Sequence, residues 1–173
     1  MKRLLTLFTA ICVIFTLSGC KIELPASESS SAGESPVGSC IVSIDCKTVL
    51  NNTELLDSSK KEIIPSDGII LAPADISVYE GDTVFDVLNR AVRSRGIHME
   101  FSTTPGYNSK YIEGIANLYA FDCGELSGWV YSVNGEFPNT GISSVKVSDG
   151  DVICILYTCD LGQDVGNEYG ERQ

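Results

Sequence analysis

Apolar positions alternate with polar ones along most of the chain, and one stretch switches to helical spacing. Cys40, Val42, Ile44 and Cys46 fall on one face of a first strand, Ser39 to Cys46. A polar connection with one helical turn, beginning at Lys47-Thr48-Val49-Leu50, leads to a turn at Pro65-Ser66-Asp67-Gly68. Ile76 to Tyr79 alternates into a second strand. Val84, Val87, Leu88, Ala91 and Val92 then keep the spacing of a one-sided apolar stripe, which predicts a helix over about residues 83–95. Thr83 and Asp86 read as its capping box, Asp86 and Arg90 as a supporting pair, and Gly96 as its stop. In the next strand Ile97, Met99 and Phe101 point inward, and Tyr111–Ile115 and Leu118–Phe121 give two more after the Pro105-Gly106-Tyr107-Asn108 break. Trp129, Tyr131 and Val133 share a strand face, and Asn134-Gly135 supplies a type I′ turn that reverses the chain into Glu136-Phe137. Val152 to Cys159 is apolar on both faces, as a central strand is. The fold class is α+β, a mixed sheet of short strands packed on one main helix.

The N-terminus follows other rules. Lys2 and Arg3 precede an apolar run, Leu4 to Leu17, that is short for a bilayer span and ends in small residues. This predicts a signal peptide over residues 1–19. Leu17-Ser18-Gly19-Cys20 looks like a bacterial lipobox, which makes Cys20 the lipidation site and the first mature residue, anchored extracytoplasmically to the cell membrane. Residues 20–38 then hold the lipidated cysteine and a tether rich in serine, glutamate, proline and glycine that cannot bury a core. A single domain follows over residues 39–166, with a polar tail at 167–173. Without Lys2 and Arg3 the mature chain has ten basic residues against 23 acidic ones, a net charge near −13. Such a polyanion is a poor nucleic-acid binder.

Of seven cysteines, five remain once Cys12 leaves with the signal and Cys20 takes lipid. Cys123, in the loop feeding the tryptophan strand, and Cys159, at the end of the last strand, are expected to form a disulfide; Cys40 or Cys46 with Cys154 is the expected second pair. Plain buried thiols are the alternative. No Cys-x-x-Cys pair exists and there is one histidine, His98, so no metal site is assigned. His98 and Glu100 share an outer face without a third ligand. Asp149, Asp151, Asp160 and Asp164 lack the spacing of a calcium loop and read as turn chemistry. No nucleophile stands beside a base, so the chain reads as non-enzymatic.

Several segments together carry a resemblance: Gly81 to Leu88, Tyr111 to Ile115, Cys123 to Gly135, Tyr157 to Gly162 and Asp164-Val165-Gly166. They resemble the transcobalamin-like C-terminal domain, a family of bacterial surface proteins of otherwise unknown function. The family is related to the C-terminal β-domain of transcobalamin and intrinsic factor, where a β-grasp-like fold covers one face of cobalamin. The resemblance implies a β-grasp-like domain, cobalamin or another corrinoid as the candidate ligand, and Trp129, Gly135, Pro138 and Gly141 as candidate contacts. Tyr131 joins them because it shares the face of Trp129. From pattern alone that face is either a core wall or a ligand platform. The large helical domain that completes the carriers' site is absent from these residues. Two functions therefore stand side by side: a binding module for a corrinoid or other small, flat ligand, or a structural or adhesive surface module that meets a protein partner and no small ligand.

Overall fold

Strand β1, Gly38–Asp45, buries Cys40, Val42 and Ile44 on one face, as the alternation predicts. It is the hub of a four-stranded sheet. On one side it pairs antiparallel with β2, Ile69–Val78, and on the other parallel with β7, Val152–Thr158. β6, Gly128–Val133, completes the order β2-β1-β7-β6 by pairing antiparallel with β7. The first and last strands are thus central and the sheet is mixed. A second, antiparallel sheet has the order β3-β4-β5, from Met99–Thr104, Ser109–Ile115 and Leu118–Tyr119. The computed structural model describes residues 35–104 and 109–167, all within the unit Gly33–Gln173. The expected signal peptide, Cys20, most of the tether, the Pro105–Asn108 break and the tail beyond residue 167 lie outside the described residues.

The main helix, α2, runs Val84–Ser94 and buries Val84, Phe85, Val87, Leu88, Ala91 and Val92. Its capping box is complete: Asp86 accepts from the Thr83 N–H at 2.8 Å, and Thr83 Oγ1 accepts from the Asp86 N–H at 3.4 Å. With Asp86 so committed, the expected Asp86–Arg90 pair does not form. Arg90 instead pairs with Asp82 at 3.0 Å and donates to the Ser77 carbonyl at 2.7 Å, tying the helix to β2. The single helical turn expected after β1 is α1, Lys47–Leu50.

The inward face of the four-stranded sheet and the buried face of α2 contribute to one hydrophobic cluster. Register fixes which side chains share that face. Ile155 stands opposite both Ile44 and Tyr131, and Tyr157 stands opposite Trp129. The Trp129 and Tyr131 face is therefore the core face of the sheet.

Three expectations need correction. β2 spans ten residues rather than starting near Ile76, and it passes through Pro73. An edge strand with register shifts tolerates the missing N–H there. Asn134 and Gly135 form the positive-φ turn, at 54° and 86°, and the chain reverses into Glu136 as expected, but the hairpin pairing goes no further. Only an isolated Val133–Glu136 bridge forms. Pro138 has no donor to extend that ladder, and the opposite edge of β6 pairs with β7 after a long excursion. Phe101, expected inward, is 40% exposed and packs edge-on against Phe85 at 4.7 Å.

Candidate functional site

β6 is the edge strand of its sheet. A cleft of about 210 Å³ opens there. Trp129 and Tyr131 form its floor, residues 137–142 one wall, and Lys110, Tyr111 and Ile112 of β4 the other. Alternation places both aromatics in it, since Trp129 and Tyr131 are two residues apart. Their roles then diverge. Trp129 is only 9% exposed, meets the Tyr157 ring edge-on at 5.1 Å and donates its indole N–H to the Leu118 carbonyl at 3.0 Å. It is mostly core. Tyr131 is half-buried, and its hydroxyl donates to the Thr140 carbonyl at 2.7 Å, which holds the 137–142 loop against the strand. Burial raises the Tyr131 phenol above its ordinary pKa, so it stays a neutral donor.

The structure brings together four of the five candidate contacts, Trp129, Tyr131, Pro138 and Gly141, on the cleft lining. Gly141 is small for a visible reason: a Cβ there would run into the Ser109 side chain. Gly135 does not join them. It sits at the exposed tip of the turn, away from the lining, where its positive φ explains it fully. Lys110 and Tyr111 belong to the cleft yet carry no local signal, because they arrive from the other sheet. The Lys110 ammonium lies 5.2 Å from the Phe101 ring and 5.8 Å from that of Phe85, and donates to Thr103 Oγ1 at 3.0 Å. The ammonium is thus engaged by residues outside the cleft lining, and the apolar, aromatic-lined cleft itself suits a flat, partly apolar ligand. The lining holds no carboxylate, histidine or cysteine.

The thiols gather elsewhere. Cys40, Cys46, Cys123, Cys154 and Cys159 are all free among the described residues, so the expected Cys123–Cys159 disulfide is not formed in this structure. Both thiols nevertheless reach the short stretch around α1. Cys123 Sγ lies 3.4 Å from the Asn52 carbonyl and Cys159 Sγ 3.7 Å from Thr48 Oγ1. Burial pushes the Cys123 and Cys46 thiols up to about 12. The expected second pair is excluded by parity. Cys154 stands opposite Ser43 in the parallel ladder, on the other face of the sheet from Cys40 and Cys46.

The remaining polar candidates serve structure. Asp149 accepts from the Ser39 N–H at 2.8 Å and Asp151 from the Ser148 N–H at 2.7 Å. Asp164 accepts from the Cys159 N–H at 2.8 Å, so three of the four aspartates fasten turns. His98 and Glu100 form an exposed pair at 3.3 Å, and no cluster of three metal-ligating side chains occurs among the described residues.

Comparison with known proteins gives three findings. Residues 81–158 match the family described as "Domain of unknown function (DUF4430)". Among solved structures, haptocorrin in complex with Cbi is similar with a TM-score of 0.49 and 17% identity, over 73% of this chain and 26% of that one. A "putative metal binding protein" from Ruminococcus gnavus ATCC 29149 is similar with a TM-score of 0.41 and 16% identity, over 70% of this chain and 96% of that one. No curated protein matches the chain.

Proposed function

We propose that this chain, whose residues 81–158 match the DUF4430 family, is a transcobalamin-like, non-enzymatic, lipid-anchored binding module outside the cytoplasm. It takes the edge or one face of a flat, partly apolar ligand, with a corrinoid as the first candidate. The observation that carries this reading is the cleft on the β6 side of the sheet, where Tyr131, Pro138 and Gly141 converge over the Trp129 floor. Its size refines the proposal. Sites that enclose a drug-sized ligand run to about 300–1,000 Å³, whereas this one is about 210 Å³. It holds part of a ligand and leaves the rest to solvent or a second body. A β-grasp-like arrangement belongs to the same reading, supported by the mixed sheet whose central strands are the first and the last.

Calorimetric titration of the folded protein with hydroxocobalamin and cobinamide tests it. Micromolar binding is expected, and Tyr131→Ala is expected to weaken it by about tenfold, ~1.4 kcal/mol, while the protein stays folded. No heat from well-folded wild type would sink the corrinoid reading.

A surface-interaction role is the second reading, favoured by a different patch. Phe121 is 70% exposed at a φ of 71°, and Leu126 and Leu161, joined by the Leu161 N–H to Leu126 carbonyl bond, are exposed beside it. Large apolar side chains grouped at the surface commonly mark contact sites.

The anchor has its own test. Cys20→Ala is expected to abolish incorporation of a palmitate analogue into the membrane-extracted protein. Equal labelling of mutant and wild type would remove the anchor assignment.

A further inference from the structure

Two large apolar side chains stand in a backbone conformation that favours glycine. Phe121 has a φ of 71° and Leu161 a φ of 48°. For a bulky residue this is a costly outlier, and such outliers cluster where a function holds them. Exposure leaves the fold little to gain from either, since Phe121 is 70% exposed and Leu161 44%. Adjacent carbonyls fix both: the Phe121 N–H donates to that of Ser127 at 3.1 Å, and the Leu161 N–H to that of Leu126 at 3.0 Å. Leu126 is itself 47% exposed. Leu55, 51% exposed, lies over Gly124, where an added Cβ would stand 3.6 Å from the leucine Cδ1. Four exposed apolar side chains from three segments distant in sequence thus meet at the loop ahead of β6. None of them lines the cleft.

Each has a carboxylate as its neighbour in the chain: Glu54 beside Leu55, Asp122 beside Phe121, Glu125 beside Leu126 and Asp160 beside Leu161. Asp122 pairs with Lys60 at 3.2 Å. Glu54, Glu125 and Asp160 are exposed and belong to none of the ion pairs among the described residues. An apolar centre with an acidic border repels a second copy of itself and an anionic bilayer. It attracts an apolar surface bordered by cations.

Resting on the surface-interaction reading, we propose that this patch docks a cationic amphipathic segment of another protein. The segment's apolar side chains cover Phe121, Leu126 and Leu161, and its flanking lysines or arginines meet Glu54, Glu125 and Asp160. Burial of the phenyl and leucine side chains supplies the affinity. The carboxylates set orientation and make binding weaken as salt rises. The two strained residues are kept for the partner, and the fold carries their strain.

The full chain carrying Cys20→Ala, so that no acyl group intervenes, is titrated into a fluorescent amphipathic helical peptide of leucine and lysine. A scrambled peptide of the same composition is the control. The amphipathic peptide is expected to bind about tenfold tighter than the scrambled one, and Phe121→Gly is expected to erase that preference. Glu125→Lys combined with Asp160→Lys is expected to weaken binding by about tenfold. Glycine adopts the Phe121 conformation without strain, so Phe121→Gly is expected to melt no lower than its parent. Absence of binding, equal affinity for the two peptides, or a preference that survives Phe121→Gly overturns the proposal. So does dimerisation in sedimentation velocity, or binding to phosphatidylglycerol vesicles, that disappears with Phe121→Gly; either result keeps the patch as a contact surface and replaces its occupant. A Phe121→Gly melt several degrees below the parent shows instead that the phenyl serves the fold, and the surface-interaction reading then falls together with the proposal.

Discussion

Trp129→Ala is expected to lower the stability of the domain by about 3–5 kcal/mol, measured by urea or thermal unfolding. Three losses add up in that substitution. The side chain is 9% exposed, so its removal leaves a void beneath β6. Its edge-on contact with Tyr157 disappears. The Leu118 carbonyl loses its donor at 3.0 Å, and with it goes a bond between the two sheets. Domains of this size are stable by roughly 5–15 kcal/mol, so the variant will sit close to its unfolding limit. A melt within a degree or two of wild type would show instead that the indole is a platform the core does without. Trp129 is for that reason the wrong residue with which to test binding; Tyr131 separates the two effects.

Tyr157→Ala is expected to cost about 3–5 kcal/mol as well, and Tyr157→Phe about 1–3. Tyr157 is the largest fully buried side chain among the described residues. Its hydroxyl donates to the Tyr119 carbonyl at 2.7 Å and lies 2.9 Å from Ser127 Oγ. Ser127 Oγ in turn accepts from the Cys123 N–H at 3.1 Å and donates to the Gly124 carbonyl at 2.8 Å. One phenol thus organises the loop ahead of β6. The phenylalanine variant keeps the volume and removes only the polar contacts, so the difference between the two variants in parallel melts separates the cavity from the hydrogen bonds. A phenylalanine variant as stable as wild type would mean that the loop re-pairs its own polar atoms.

What could be read in the chain was local. The stripe from Val84 to Val92 and the Thr83–Asp86 box lie within one segment, and the helix formed within a residue of its expected ends. Asn134-Gly135 needed two positive φ values and has them. Trp129, Tyr131, Pro138 and Gly141 fall within one short span, so their convergence followed from a strand and a loop. What escaped depended on pairing between distant segments. Nothing near Ser132 announces that its strand will also pair along its other edge with Cys154 and its neighbours. Cys154 could be placed on the wrong side of the sheet from Cys46 only once Ser43 was known to stand opposite it. Lys110 and Tyr111 belong to a different sheet, and alternation within β4 cannot reveal what β4 faces. Arg90 was assigned to Asp86 by spacing, but a carboxylate already engaged in a cap is a poorer partner than Asp82 across the turn.

The parallel pairing of β1 with β7 has a mechanical consequence. A pull between the chain preceding Gly38 and the chain following Thr158 draws these neighbouring strands along their lengths in opposite directions. The force falls in shear on the ladder between Ile41 and Asp45 and between Val152 and Leu156, so its bonds must yield together instead of opening one at a time like a zip. Tension entering at the two ends therefore meets the middle of the four-stranded sheet first, with β6 and the cleft loop lying outside the stressed pair.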